Sequence, residues 1–229
     1  MMLGYSLEAM RFKVHCGGSL FWMFDDCWGE TGWTVVDYYL KRKPAYYFVK
    51  RAFEPLQLIV RKERGMVRVM GINETNQVAD FTMEYGFIHF DGSGKESAFC
   101  PVALEPFSRR VVLEFPEGNH DLRHGVIFIR PMERIAPRAA LLRSGDFREL
   151  KMTRATLTVT DYRRDHDAVR FVVKSDSYAH AVHFNLGDDI RLSDEYFDLL
   201  PGEEREVTVY NQEITRQDLK PLSVFDGGE

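Results

Sequence analysis

The stretch GSLFWMFDDCWGETGW, at residues 18–33, decides how the first part of this chain folds. It contains all three tryptophans of the 229 residues. Residues 19–24 are almost all apolar and do not alternate with polar positions, which is typical of a strand that is buried on both faces in a parallel sheet. The sequence therefore predicts a buried strand, and the polar and aromatic residues after it predict a loop.

Two helices are predicted on either side of this stretch. Leu3, Leu7, Met10 and Val14 recur at helical spacing, and the two glycines that follow would end that helix. The second helix begins at Pro44, which suits the first helical turn, and ends before Pro55. Its apolar residues nearly encircle it, so it needs cover on more than one side. A single strand with its helix cannot supply that cover, and we expect the unit to belong to a larger assembly.

Two segments carry a family resemblance. Residues 18–33, continued by DYYLKRKPAYYFVKRAFEPL at residues 37–56, resemble the end of the catalytic domain in glycoside hydrolase family 2, in its β-mannosidase and exo-β-glucosaminidase branch. LSDEYFDLLPGE, at residues 192–203, is similar to a segment of the terminal immunoglobulin-like domain of the same enzymes. Asp25 and Glu195 stand where the family usually has asparagine, and Gly29 stands where it usually has proline.

The fold class that follows is mostly β. The resemblance implies that residues 1–55 are the last β/α unit of a (β/α)8 barrel. Beyond Pro55 the apolar period changes to short alternating strands separated by turn residues, which is typical of β-sandwiches. We predict two tandem immunoglobulin-like β-sandwiches at residues 56–146 and 147–229, the second of the β-mannosidase C-terminal type, with the boundary at a turn-like Ser-Gly-Asp run.

The resemblance implies the C-terminal portion of a retaining exo-β-glycosidase that acts on terminal β-linked sugars, most simply β-mannosides. In that family two glutamates perform the chemistry, after the fourth and seventh barrel strands, and we expect neither to lie in this chain. No catalytic residue is therefore predicted, and the chain is expected to be structural. The alternative is a stand-alone immunoglobulin-like module that binds carbohydrate or a partner. Because 13 of the 30 aromatic residues fall in the first 53 positions, the sequence favours the first interpretation.

Two residues are predicted to contact substrate, in the intact enzyme only. Trp22 falls late in the proposed barrel strand, where active sites of such barrels lie, and a flat indole can stack on the C–H face of a sugar. The alternative for Trp22 is a core position in the barrel wall. Asp26 could organise the loop or a sugar subsite by hydrogen bonding, and its alternative is a purely structural loop role. Adjacent Asp25 would face the opposite way if the strand continued, so the two are not expected to act as a catalytic pair.

Composition bounds the remaining partners. A net charge of −5 with interspersed signs argues against nucleic acid, and the sequence contains no membrane-spanning apolar run. No cofactor or metal is predicted, because His180 and His183 would lie on opposite faces of a strand. Three cysteines without a pairing pattern suggest a reducing, cytoplasmic setting by default. Expected partners are the remainder of the catalytic barrel, a β-linked sugar and, through residues 1–55, a second copy of the chain.

Overall fold

The computed structural model describes residues 2–118, 120–133, 137–187 and 189–224. Within these ranges the chain is mostly β, as predicted, with two α-helices, one short 3-10 turn and strands that pair antiparallel throughout. No helix in the described ranges is long and apolar enough to cross a membrane. The two halves of the β region form two sheet pairs that follow one another along the chain.

The first sandwich buries the alternating residues that the sequence marked as strands. One sheet has the order β1 (Leu56–Glu63), β2 (Met66–Asn73), β5 (Ser108–Pro116). The other has the order β4 (Glu96–Leu104), β3 (Ala79–His89), β6 (Gly125–Pro131), β7 (Ala140–Leu142). Val67, Val69 and Met83 are fully buried between them, because alternate strand positions point to the same face.

The second sandwich is built in the same way from smaller sheets. One sheet has the order β8 (Leu157–Arg164), β9 (Val169–Ser175), β12 (Glu204–Val209). The other has the order β11 (Phe197–Leu199), β10 (Ala179–Phe184), β13 (Pro221–Leu222). Phe171 and Phe184 meet edge to face in its core, with ring centroids 5.0 Å apart.

A third apolar cluster joins the two sandwiches. Phe90 and Phe128 from the first and Tyr178 from the second are all at most 2% exposed, and the Phe90 and Tyr178 rings lie 5.0 Å apart. The Tyr178 amide also donates to the Phe90 carbonyl at 2.7 Å. Each sandwich has its own core, but this shared cluster means that the pair is packed together and not merely tethered.

The first 55 residues depart from one prediction. The helices are α1 (Met2–Arg11) and α2 (Pro44–Ala52), so the predicted proline boundaries of α2 are confirmed. The predicted strand at residues 19–24 is wrong for this structure, since only isolated bridges at Asp25, Val36 and Arg42 form nearby. The physical reason is that a strand needs a neighbouring strand for its backbone hydrogen bonds. Phe21 packs against α2, but no described strand lies beside residues 19–24.

Helix α1 also ends earlier than its apolar stripe suggested. Leu7 is buried, while Met10 and Val14 are exposed. Arg11 takes the buried position instead: its guanidinium donates to the Ala52 carbonyl at 2.5 Å and to Gln57 Oε1 at 2.7 Å. This contact fixes α1 against the end of α2.

Candidate functional site

The exposed apolar side chains of the described chain concentrate between the two helices. We call residues 18–42 the aromatic loop. Its large exposed side chains are Leu20, Trp22, Phe24, Trp28, Trp33, Tyr38, Tyr39 and Leu40. Natural monomers seldom leave so many large apolar groups in water unless they contact a ligand or another protein surface. The loop is therefore the candidate site.

Trp22 lies at the surface of this loop. Its side chain is 87% exposed, and the peptide bond that joins it to Met23 is cis. A side chain as exposed as this indole is accessible for stacking on an apolar ligand surface. The structure of this chain gives Trp22 no core to fill, and a contact with sugar stays a prediction.

Asp26 lies inside the loop. Its carboxylate Oδ2 is 2.8 Å from Lys43 Nζ, and Lys43 also donates to Thr34 Oγ1 at 2.5 Å. The hydrogen bond from Lys43 holds the pKa of Asp26 below its ordinary value. Gly32 is needed beside it, because a Cβ there would sit 2.7 Å from Asp26 Oδ1. Asp26 therefore makes its contacts within the loop and to Lys43, and its contact with sugar stays a prediction.

A second charged cluster lies at the opposite end of α2. Asp194 is buried and receives three arginines: Arg51 Nη1 at 2.6 Å, Arg138 Nη1 at 2.6 Å and Arg205 Nη1 at 3.1 Å. Arg138 also pairs with Glu54 at 2.6 Å. Burial alone would raise the pKa of Asp194, but the three guanidinium charges lower it below the ordinary value.

Arg51 makes this cluster a junction between distant parts of the chain. Besides Asp194, its guanidinium donates to the backbone carbonyls of Glu195 and Tyr196, both at 2.8 Å. Lys50 donates to the Ser193 carbonyl at 2.6 Å. The two segments that carried the family resemblance, 37–56 and 192–203, therefore meet in space although roughly 140 residues separate them.

Glu195 lies on the same junction, between the second sandwich and the middle of α2. Its carboxylate accepts from the Phe184 amide at 3.1 Å, and it also hydrogen-bonds with buried Tyr47. Burial raises the pKa of Glu195 above its ordinary value. The position that departs from the family pattern is thus a buried contact to α2 and not an exposed loop residue.

A further, half-buried carboxylate anchors α1. Asp198 accepts from Tyr178 Oη at 2.7 Å, lies 2.7 Å from His180 Nδ1 and accepts from the Ala181 amide at 3.1 Å. Arg143 contacts His180 through Nη2 and donates from Nη1 to the Tyr5 hydroxyl of α1 at 3.1 Å. Burial would raise the pKa of Asp198, but His180 and the hydrogen bonds hold it well below its usual range.

The sequence signal for these anchors was present but ambiguous. Asp194 and Asp198 are acidic residues within a stretch whose neighbours Phe197 and Leu199 are apolar, and a buried acid needs a partner. Nothing in the spacing named Arg51, Arg138 or Arg143 as those partners. Among the described residues, no group of three or more histidine, cysteine or acidic side chains is arranged to hold a metal ion.

The class of protein follows from comparison with known domains. The Ig_mannosidase family, described as an Ig-fold domain, matches residues 152–225, which include all strands of the second sandwich. The match covers the sandwich that contains Asp194 and Asp198. Residues 152–225, which include the strands of the second sandwich, thus resemble a family of Ig-fold domains.

Similar proteins make the comparison specific. "Beta-mannosidase B" of Emericella nidulans is 27% identical over 228 residues, which cover 91% of this chain and 27% of that protein. "Beta-mannosidase B" of Aspergillus niger is 45% identical over 65 residues, covering 28% of this chain and 8% of that protein. The β-D-mannosidase structure from Dictyoglomus thermophilum superposes with a TM-score of 0.87 at 24% identity, over 97% of this chain and 28% of that one.

The comparisons also show how far the similarity extends. The chain spans about a quarter of the length of the curated relatives it matches. The fold extends to the exo-chitosanase structure from Amycolatopsis orientalis, with a TM-score of 0.67 at 15% identity over 96% of this chain and 31% of that one. The resemblance to the C-terminal part of a β-mannosidase-like enzyme of glycoside hydrolase family 2 is thereby confirmed.

Proposed function

We propose that the chain is the C-terminal portion of a retaining exo-β-glycosidase of the β-mannosidase type. The observation that carries this proposal is the aromatic loop, whose exposed tryptophans are held on an internal Asp26–Lys43 anchor. The similarity to proteins named β-mannosidase supports the choice of sugar. The substrate would be a terminal β-linked mannoside.

The chemistry would come from outside this chain. Retaining hydrolysis uses two carboxyl groups about 5–5.5 Å apart, one as nucleophile and one as acid and base. Asp26 is engaged by Lys43 and is nearly inaccessible, and neighbouring Asp25 is exposed at the surface of the aromatic loop. We therefore assign both catalytic glutamates to the remainder of the barrel, and this chain completes that barrel.

Within the intact enzyme, the loop would contribute to substrate binding. Trp22 would stack on the apolar face of the terminal sugar, and Asp26 would keep the loop in shape for that contact. The two sandwiches would hold the loop through α1 and α2. This role requires the remainder of the barrel as the partner of residues 1–55.

The alternative, a stand-alone immunoglobulin-like binding module, needs aromatic residues on the sandwiches. Those exposed there in the described ranges are Phe99 on β4, Phe107 in the turn before β5 and Tyr210 after β12. They belong to different elements and to different sandwiches. The concentration of exposed aromatics in the loop favours the glycosidase proposal.

The test is a comparison of the chain alone with a chimaera. In the chimaera, this chain replaces the matching segment of the Emericella nidulans β-mannosidase B. With an aryl β-mannoside, the purified chain should match the buffer blank, because removing the catalytic carboxyls costs many orders of magnitude in rate. The chimaera should turn over substrate.

Single substitutions in the chimaera then test which side chain contacts the sugar. Trp22→Ala should lower kcat/KM by about tenfold, the equivalent of roughly 1.4 kcal/mol, while Phe99→Ala, which removes an exposed ring from the first sandwich, is the control and should leave kcat/KM unchanged. Turnover by the chain alone that disappears on mutating one of its own carboxylates would refute the proposal. Oligosaccharide binding that is lost on mutating Phe99 or Tyr210 would support the binding-module alternative.

A further inference from the structure

One continuous set of contacts runs from the second sandwich to the aromatic loop. Its first link joins the second sandwich to the end of α2, where Arg51 donates to the Asp194 carboxylate and to the carbonyls of Glu195 and Tyr196. Charge-assisted bonds of this kind are short and directional, and a guanidinium fork fixes orientation as well as distance. The end of α2 is therefore fixed relative to the second sandwich.

The other end of α2 holds the loop. The backbone amide of Lys43, immediately before the helix, donates to the Val35 carbonyl at 3.0 Å, and its ammonium group binds Asp26. Val35 and Val36 pack against Val49 and are buried. A helix of nine residues is too short to bend freely between these two attachments, so a shift at one end is transmitted to the other.

We propose that Asp194 is a positioning residue for the aromatic loop, and that it acts through Arg51, α2 and Lys43. Asp194 is suited to this role because its three arginines come from three parts of the chain: α2, the segment before β7, and β12. It thereby ties the helix to both sandwiches at one carboxylate. The consequence for sugar binding rests on the function proposed above, but the positioning itself is a property of this chain.

The test uses the chain as it is. All three tryptophans lie in the aromatic loop, so the three indole N–H signals in an NMR spectrum report on that loop alone. The amides of Val36 and Lys43, which donate to the carbonyls of Phe24 and Val35, report on its attachment by hydrogen exchange. In Asp194→Asn, the indole signals should shift and these two amides should exchange about tenfold faster, as expected for the loss of a charge-assisted bond.

Glu84→Gln is the matched control. Glu84 is an equally buried carboxylate, but it lies on β3 and is paired with Lys95 and Arg130 of the first sandwich. Glu84→Gln should destabilise the chain and leave the indole signals in place. If Asp194→Asn lowers the melting temperature as Glu84→Gln does and leaves the loop signals unchanged, Asp194 is only structural and the proposal is wrong.

A milder variant keeps the test decisive if Asp194→Asn does not fold. Arg51→Lys retains the positive charge but loses the fork that reaches the two carbonyls. It should move the same indole signals by a smaller amount, and unchanged signals there would also overturn the proposal. Because these measurements need no substrate, their outcome is separate from the success or failure of the glycosidase assay.

Discussion

The aromatic loop and the two sandwiches use their large apolar side chains in opposite ways. In β2 and β9, alternating positions such as Val69 and Phe171 are completely buried between paired sheets. In the aromatic loop, Trp22 and Trp33 are almost fully exposed. The comparison teaches that apolar residues make a core only where a second layer covers them.

The aromatic loop is nevertheless tied to the rest of the molecule. Its attachment combines a polar contact between Lys43 and Asp26 with a small apolar cluster in which Val35 and Val36 pack against Val49, whereas the sandwiches are held by extended ladders and larger apolar cores. The loop thus has a preferred shape although most of its large apolar side chains are exposed. Four measurements would break or sharpen this contrast.

The largest difference is expected in hydrogen exchange. Amides at residues 67–69 lie in the central strand of a three-stranded sheet and should open only with global unfolding, a difference of about 5–15 kcal/mol from a freely exchanging amide. Within the described chain, amides at residues 20–24 donate no backbone hydrogen bond and should exchange almost freely. The sample must first be shown to be monomeric by ultracentrifugation. Equally slow exchange in both segments would mean that residues 1–55 are already in a native, covered state.

A smaller but still large effect is expected from the second core. Phe171→Ala removes a fully buried ring that contacts Phe184, and should lower the free energy of unfolding by about 3–5 kcal/mol, measured by urea titration. Phe99→Ala, which removes an exposed ring on β4, is the matched control and should change little. A loss below about 1 kcal/mol for Phe171→Ala would contradict the buried core described for the second sandwich.

The next-largest effect is expected from acid, which should weaken the contacts of Asp194 and Asp198. Asp194 and Asp198 have pKa values below their ordinary ones in the folded chain, so their contribution is present at neutral pH and is lost as pH falls below about 4. Burial raises the pKa of Glu8 and Glu195, so their protonation favours the folded chain and partly offsets this loss. Urea midpoints between pH 3 and 7 would measure the slope, in steps of about one unit. An unchanged slope in the double variant Asp194→Asn, Asp198→Asn would exclude these two carboxyls as the cause.

The smallest effect is expected for Trp22→Ala in the chain by itself. The indole is exposed and contributes to no apolar cluster, so the free energy of unfolding should change by less than about 0.5 kcal/mol. Thermal melts of Trp22→Ala beside Tyr47→Ala, which removes a buried ring from α2, would give the contrast directly. A marked loss of stability in Trp22→Ala would mean that the indole has a structural role in this chain.

Much of the architecture could be predicted because its signals are local. Alternation in segments such as 66–73 predicts strands, and Pro44 and Pro55 bound a helix, since each rests on backbone geometry within a few residues. The segment at residues 192–203 resembles part of an immunoglobulin-like domain, and the Ig_mannosidase family matches residues 152–225 around it. The strand at residues 19–24 was predicted wrongly because its apolar pattern describes a covered segment, and cover is not a local property.

The sequence by itself therefore determined the mostly β class, the bounds of α2 and the family resemblance. Only the tertiary structure decided that Asp194 meets Arg51 and Arg138, that Arg11 replaces Met10 as the buried end of α1, and that Phe90 and Tyr178 join the sandwiches. The physical reason is sequence separation. Local pattern reports what a residue needs, such as burial or a charge partner, but the partner that satisfies the need is chosen by how distant segments pack.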